Sequence, residues 1–222
     1  DLVRSRGLGD VYKRQYNLRE ETMLFVISGP SGCGKSSLVR RILRKAKNIL
    51  FSVSHTTREP RNSEKEGRDY YFVSKAEFEE MIKKEKFLEW ATIHGHYYGT
   101  SKKEIERKGS RADLVLDVDV QGARQIKAKV KKAVFIFILP PSFGELRRRL
   151  EERGEESAAS IRKRLEVAKK DVRAYPQFEY IVVNDNLDQA LKELEAIILS
   201  SSCSLDSRKK EILPILRTFL EE

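Results

Sequence analysis

The chain has 222 residues, 40% of them hydrophobic, which is enough for one large domain or two small ones with a packed core. Its formal net charge of +10 would suit nucleic acid, but it would equally suit an enzyme that binds polyanionic nucleotides. No apolar run reaches membrane-spanning length, no secretory signal is recognisable, and the two cysteines are too far apart for a disulfide framework. These features predict a cytoplasmic protein without a membrane partner.

The first elements in chain order are a strand, a glycine-rich loop and a helix. An apolar run at residues 23–28 predicts the strand, and a helical period predicts the helix over 35–45. Further strands are predicted at 51–54, 114–120, 134–139 and 180–183, and helices at 142–152 and 157–173. Because strands alternate with helices, the sequence predicts an α/β fold with a parallel sheet.

The segment from 55 to about 103 breaks this rhythm. It contains four tyrosines, short strand-like runs at 70–73 and 88–93, and one predicted helix at 75–84. We interpret the segment as a small inserted α+β subdomain.

The two ends of the chain fit the pattern less well. Residues 1–22 precede what looks like a natural start at Met23, and we expect an N-terminal extension that is disordered or a remnant of cloning or gene fusion. Residues 200–222 contain a serine-rich break followed by an amphipathic helix at 208–220. We interpret this tail helix as packing on the domain, in preference to binding a partner.

The loop after the first strand matches the phosphate-binding pattern G-x-x-x-x-G-K-[ST]. Its backbone N–H groups would turn toward phosphates at a helix N-terminus, Lys35 would bridge the β- and γ-phosphates, and the Ser36 hydroxyl would ligate Mg²⁺. Cys33 occupies a variable position and is interpreted as a spacer whose thiol pKa the helix N-terminus would lower. The predicted ATP-binding residues are Gly29, Pro30, Ser31, Gly32, Cys33, Gly34, Lys35, Ser36 and Ser37.

Two acidic residues follow the apolar run at 114–116. Asp117 and Asp119 are predicted at the C-terminal end of a strand, where open parallel sheets place their ligands. A strand period of two would put both carboxylates on one side. Asp117 is therefore a predicted metal residue, acting through water, beside Ser36.

Several blocks of sequence closely resemble guanylate kinase motifs in order and spacing. They occupy residues 54–61, 67–72, 87–90, 97–100 and 116–122. The resemblance runs from about residue 23 to 199. It implies transfer of the γ-phosphoryl of MgATP to GMP, giving GDP and ADP. dGMP stays open, since no residue clearly reads the ribose 2′-hydroxyl.

The resemblance assigns two groups of GMP-binding residues. The acceptor phosphate falls to Arg58, Arg61, Tyr70 and Tyr98, and guanidinium forks are well suited to phosphate. The base falls to Ser54, Glu89, Thr100 and Asp119, where Thr100 replaces the family's frequent serine. Carboxylates and hydroxyls complement the N1–H and N2–H donors and the O6 acceptor of guanine, whereas adenine would leave the carboxylates unpaired.

The resemblance also implies a helical lid at about 149–165. Its matching arginines are Arg149, Arg153 and Arg164, expected to clamp the ATP phosphates and act in catalysis with Lys35. Asn184, at the end of the last predicted strand, resembles the adenine-side element of the family.

Together these assignments predict a P-loop NTPase-type three-layer fold. The guanylate kinase-like domain would span 23–199, with a core at 23–54 and 104–199, a GMP-binding subdomain at about 55–103 and the lid. The chain would be a monomer or homodimer with ATP and GMP as substrates. Three alternatives stay open: a catalytically inactive binding module, a P-loop kinase for another nucleoside monophosphate, and a nucleic-acid-dependent ATPase. No nucleic-acid partner is predicted, because most basic residues sit among acidic ones, as on solvated helix faces.

Overall fold

The computed structural model describes residues 22–46, 48–61, 63–152 and 157–220. The predicted N-terminal extension, apart from Thr22, and the predicted lid residue Arg153 lie outside these ranges. The described strands are β1 (Leu24–Ser28), β2 (Ile49–Phe51), β3 (Ser54–Thr56), β4 (Tyr70–Phe72), β5 (Phe87–Ile93), β6 (His96–Ser101), β7 (Asp113–Asp117), β8 (Ala133–Leu139) and β9 (Tyr180–Val183). The described helices are α1 (Lys35–Lys45), α2 (Lys75–Lys83), α3 (Lys102–Gly109), α4 (Val120–Lys129), α5 (Phe143–Glu152), α6 (Ala158–Asp171), α7 (Leu187–Ser202) and α8 (Leu205–Leu220), with a 3-10 helix at Val172–Gln177.

The larger sheet of the described residues has five parallel strands in the order β2-β7-β1-β8-β9. β1 lies at its centre and is buried along its whole length. Successive side chains of a strand point to opposite faces. Phe25 and Ile27 accordingly pack with apolar residues of α1 and α7, whereas Leu24 and Val26 pack with residues of α3 and α4. The predicted α/β fold with a layer of helices on each face of a parallel sheet is confirmed.

The smaller sheet is mixed and has the order β4-β3-β6-β5. Helix α2 begins with a reciprocal capping box between Ser74 and Glu77. Its buried Phe78 stacks on Phe87 and Tyr97, with ring centroids 4.3 and 5.1 Å apart. Apart from Ser54, the first residue of β3, these elements fall within the predicted subdomain of 55–103. The domain boundaries themselves stay predictions.

The predicted strand at 51–54 is divided between the two sheets. β2 ends at Phe51 and β3 begins at Ser54. Between them the Ser52 N–H donates to the Val115 carbonyl at 2.9 Å, and the Val53 N–H donates to the buried Glu104 carboxylate at 3.2 Å. Buried amides need an acceptor, so Glu104 replaces the missing strand partner where the chain passes from one sheet to the other.

The prediction that Asp119 shares a strand with Asp117 is wrong. β7 ends at Asp117, and Asp119 is the N-cap of α4, whose carboxylate accepts the Gly122 N–H at 2.8 Å. Aspartate bonds readily to backbone N–H groups two or three residues ahead, and this local bond starts the helix earlier than the apolar pattern suggests.

The C-terminal predictions also need correction. Helix α7 continues through the serine-rich stretch to Ser202, because the hydroxyls of Ser201 and Ser202 bond back to carbonyls of their own helix at 2.8 Å. Helix α8 starts before the predicted residue 208, and its side chains at Leu205, Phe219 and Leu220 are 71–80% exposed. The expectation that this helix buries its apolar face against the domain is therefore not met. None of the helices in the described ranges combines the length and hydropathy needed to cross a membrane.

Candidate active site

The loop between β1 and α1 depends on glycine at two close approaches. Gly29 has φ 148°, and a Cβ there would lie 2.2 Å from the Ile138 carbonyl oxygen of β8. Gly34 has φ 94°, and a Cβ there would lie 2.2 Å from Nδ2 of Asn184. Only glycine combines positive φ with the absence of a side chain, so the pattern read from the sequence corresponds to a real steric requirement.

Asn184 and Arg149 hold this loop from behind. Asn184 lies just after β9 and is 4% exposed, and its Nδ2 donates to the Cys33 carbonyl at 2.8 Å. Arg149 of α5 donates from Nη2 to the Asn184 carbonyl at 2.9 Å and from Nη1 to the Cys33 carbonyl at 3.5 Å. The end of the last strand and the first lid helix therefore meet at one loop carbonyl. The Asn184 amide nitrogen is used in this bond. The contact of Asn184 with adenine, which the resemblance implies, stays a prediction.

Lys35, Ser36 and Asp117 converge at the start of α1. The Lys35 Nζ donates to the Gly29 carbonyl at 2.7 Å, and the Ser36 hydroxyl lies 3.3 Å from Oδ2 of Asp117. Desolvation lowers the pKa of Lys35, but neighbouring negative groups, Asp117 among them, outweigh it and the pKa is raised. Desolvation raises the pKa of Asp117, against the opposing effects of Lys35 and Ser36. Lys35 therefore stays protonated beside Asp117. A further cation would stabilise the ionised form of the Asp117 carboxylate.

The remaining loop residues fall into buried and open groups. Pro30 and Cys33 are buried and joined by a backbone bond from the Cys33 N–H to the Pro30 carbonyl at 3.2 Å, whereas Ser36 and Ser37 are exposed and Ser31 is half-buried. The prediction of a lowered thiol pKa is wrong for Cys33. Its thiol is fully buried, and burial raises the pKa more than Lys35 and Arg149 lower it.

A second cluster surrounds the buried Glu89 of β5. The backbone N–H and hydroxyl of Thr100 donate to Oε1 of Glu89 at 2.8 and 2.6 Å, and the Ser54 hydroxyl lies 3.4 Å from that of Thr100. Burial, with a smaller contribution from Asp119, raises the pKa of Glu89 to about 7 against these hydrogen bonds. Desolvation also raises the pKa of Asp119. Two carboxylates and two hydroxyls thus form one acceptor-rich cluster. Their assignment to the guanine base stays a prediction.

A third cluster centres on Arg58. Its Nη2 donates to both carboxylate oxygens of Glu64 at 2.8 and 2.9 Å, and its Nε donates to the Tyr98 hydroxyl at 3.2 Å. The guanidinium lies 5.5 Å from the centre of the Tyr70 ring. Arg61 is exposed and contributes its backbone N–H to Glu64 at 2.8 Å. The structure brings Arg58, Tyr70 and Tyr98 together and leaves the Arg61 side chain in solvent.

Comparisons with known proteins identify the family to which this chain belongs. The family model for guanylate kinase matches residues 21–201, which is most of the chain. The chain belongs to the guanylate kinase family. The guanylate kinase of Caldanaerobacter subterraneus is 42% identical over 200 residues, which cover 90% of this chain and 97% of that protein. The guanylate kinase of Thermotoga maritima is 43% identical over 190 residues, covering 85% and 92%. The crystal structure of guanylate kinase from Anaplasma phagocytophilum has a TM-score of 0.69 at 30% identity, covering 86% of this chain and 91% of that one.

The lid predicted at about 149–165 would fall on α5 and α6 of this guanylate kinase fold. The two helices share a small apolar cluster that contains Leu146, Leu150, Leu165 and Ala168. Arg149 is half-buried and its Nε also donates to Glu145 at 2.7 Å, while Arg164 is half-buried on α6. Arg153 lies outside the described residues. The structure connects Arg149 directly to the loop through the Cys33 carbonyl.

Glu64, Gln125 and Gly122 are residues near these clusters that the sequence did not single out. Glu64 is the anion in the fork of Arg58, and desolvation of Glu64 is outweighed by the bond from Arg58, so its pKa is lowered. Gln125 and Gly122 face β5 from α4. The spacing of Glu64, six residues after Arg58, was the one available signal. Nothing in the local pattern marks Gln125.

Proposed function

We propose that this chain transfers the γ-phosphoryl group of MgATP to GMP, as its guanylate kinase family membership indicates. The observation that carries the proposal is the cluster of Glu89, Asp119, Thr100 and Ser54, which offers hydrogen-bond acceptors in a buried setting. Guanine presents N1–H and N2–H donors side by side. Adenine has a lone pair at N1 and would leave a buried carboxylate unpaired, and such mismatches reduce kcat/KM by factors of about 10⁴ or more.

The ATP phosphates would lie against the loop 29–37 at the N-terminus of α1. Backbone N–H groups and the helix dipole favour anions there, and the charged Lys35 would reach the β- and γ-phosphates. The Lys35 Nζ donates to the Gly29 carbonyl at 2.7 Å, so it lies at the loop where the phosphates would bind. Arg149, which already contacts the loop, Arg164 and Arg153 would neutralise charge on the transferring group.

Mg²⁺ fits the oxygen ligands at the base of the loop. The Ser36 hydroxyl would hold it directly, and Asp117, whose pKa desolvation raises, would hold it through water. Bound Mg²⁺ supplies charge neutralisation of the β- and γ-phosphates.

The acceptor needs orientation more than activation. The second pKa of a phosphomonoester is about 6, so the GMP phosphate is ionised at neutral pH and attacks without a general base. Arg58, Arg61, Tyr70 and Tyr98 would hold it in line with the γ-phosphorus. In-line positioning and the exclusion of water are then the tasks of the protein.

A coupled ADP-release assay across GMP, dGMP, AMP and UMP tests the proposal. We expect GMP to exceed AMP and UMP by several powers of ten in kcat/KM. Faster turnover with AMP or UMP would assign another monophosphate, GMP binding without ADP release would indicate an inactive module, and stimulation by DNA or RNA would indicate a nucleic-acid-dependent ATPase.

The two free cysteines suit the reducing cytoplasm that we propose as its location.

A further inference from the structure

Helix α4 covers the open edge of the smaller sheet. β5 is the last strand in the order β4-β3-β6-β5, so one side of it has no neighbouring strand. An edge strand presents backbone N–H and C=O groups that need partners. The residues of α4 that face this edge are Gly122, Gln125 and Lys129, and we call them the α4 clamp.

Gln125 pairs with β5 as another strand would. The Trp90 N–H donates to Oε1 of Gln125 at 3.2 Å, and Nε2 of Gln125 donates to the Trp90 carbonyl at 2.6 Å. In an antiparallel pair the backbone groups of alternate residues point away from the partner strand, and those of Trp90 point toward α4. One side-chain amide therefore satisfies both backbone groups of the residue that follows Glu89.

The other two members of the α4 clamp act on the same short stretch. Lys129 donates from Nζ to the Leu88 carbonyl at 2.5 Å, so the backbone is held on both sides of Glu89. A Cβ on Gly122 would lie 2.4 Å from Oε2 of Glu89 and 3.3 Å from Oδ1 of Asp119. Glycine at this position lets the first turn of α4 approach both carboxylates.

We propose that Gln125 is a positioning residue that sets selectivity for guanine by fixing Glu89 relative to Asp119. The inference rests on the proposed function and deepens it. Asp119 is the N-cap of α4, and Gln125 ties the backbone next to Glu89 to the same helix. The two base-reading carboxylates, one on β5 and the other at the N-terminus of α4, are therefore both tied to the same helix. Loss of Gln125 frees β5 to move against α4 and spoils the spacing of the pair.

The test compares GMP with IMP, which keeps the N1–H donor and O6 of guanine but lacks the 2-amino group. The variant Gln125→Met keeps the side-chain length and removes both hydrogen bonds. Misplacing a binding group by about 1 Å can cost about 100-fold, so we expect the GMP-to-IMP ratio of kcat/KM to fall at least about tenfold. The loss should appear mainly as a higher KM for GMP, with the KM for ATP unchanged.

Two further variants make the result specific. Gln125→Glu keeps the acceptor for the Trp90 N–H but places a carboxylate oxygen against the Trp90 carbonyl, which repels it, so its ratio should fall further. If Gln125→Met lowers the thermal unfolding midpoint, the GMP-to-IMP ratio of Gln125→Glu is compared with that of the unaltered protein instead. Gln189→Met changes an exposed glutamine of α7 and should leave every constant unchanged.

The outcomes separate this inference from the proposed function. An unchanged GMP-to-IMP ratio of kcat/KM in both Gln125 variants, with activity retained, would overturn the positioning role alone. Absence of GMP-dependent ADP release in the unaltered protein would overturn the proposed function and the inference with it. A selective fall in the ratio, graded between the two variants, supports the role of Gln125.

Discussion

Replacing Glu89 by glutamine removes one buried charge while keeping the shape of the side chain. Burial moves the pKa of Glu89 from its ordinary value of 4.5 to about 7, although the hydrogen bonds from Thr100 and the nearby Lys129 oppose the shift. A shift of this size corresponds to about 3 kcal/mol, since one pKa unit is about 1.4 kcal/mol. In the variant, the new amide donors would face Asp119 where a carboxylate oxygen stood. We therefore expect Glu89→Gln to stabilise the ligand-free protein.

The stabilisation has a defined dependence on pH. The native protein holds the Glu89 proton more tightly than the unfolded chain does, so this residue favours folding fully below pH 4.5. Its contribution is lost as pH rises from 4.5 to about 7, where the native carboxyl ionises without enough compensation. The difference in unfolding free energy between Glu89→Gln and the unaltered protein should be near zero at pH 4.5. It should reach about 3 kcal/mol above pH 7.

Urea titrations at a series of pH values measure this difference, and GMP binding supplies the opposing functional effect. Hydrogen bonds to a charged group contribute about 1.5–3 kcal/mol, so the KM for GMP should rise about tenfold to a hundredfold in the same variant. Thr100→Ser, which keeps the hydroxyl, is the matched control and should retain the pH dependence. A Glu89→Gln variant that is less stable than the unaltered protein at pH 8 would refute the reasoning.

Three further substitutions test other parts of the site. Lys35→Ala should reduce turnover at least about 10³-fold with an unchanged circular dichroism spectrum, because it removes the cation that would stabilise the transferring phosphoryl group. Near-normal rates would contradict the assignment of the phosphate-binding loop. Glu64→Ala should raise the KM for GMP at least about tenfold, with little effect on ATP, because Arg58 loses the carboxylate that orients its guanidinium; an unaltered KM would count against this. Gly29→Ala should lower the unfolding free energy by at least about 3 kcal/mol in urea titrations, since the new Cβ would clash with the Ile138 carbonyl. An unchanged urea midpoint would be inconsistent with so close an approach of the loop to β8.

Features with a local signal were predictable from the sequence. β1, the glycine loop and α1 follow from an apolar run, a fixed spacing of glycines and a helical period, and the bounds of α1 at Lys35–Lys45 are the predicted ones. β9 also has its predicted bounds, Tyr180–Val183. The positions of Glu89 and Thr100 came from the family resemblance. The structure adds that their side chains are in direct contact.

Features formed between distant segments were not predictable. Gln125 and Trp90 are 35 residues apart, and Asn184 and Cys33 are 151 apart, so no periodicity connects them. β6 was missed as well, because Gly99 and its tyrosines lack an alternating apolar pattern. Asp119 shows a different limit: its local bond to Gly122 outweighed the strand pattern around it.

The bond between Asn184 and the Cys33 carbonyl also bears on the order in which the molecule is completed. The Cys33 carbonyl accepts hydrogen bonds from Asn184 and Arg149, and both belong to the C-terminal half of the chain. During synthesis from the N-terminus, the loop segment emerges more than a hundred residues before either partner. A nascent or truncated chain that stops before β9 therefore carries the whole phosphate-binding sequence and Arg149 but lacks the contact from Asn184. The Cys33 carbonyl gains this second partner only when the last strand has joined the sheet.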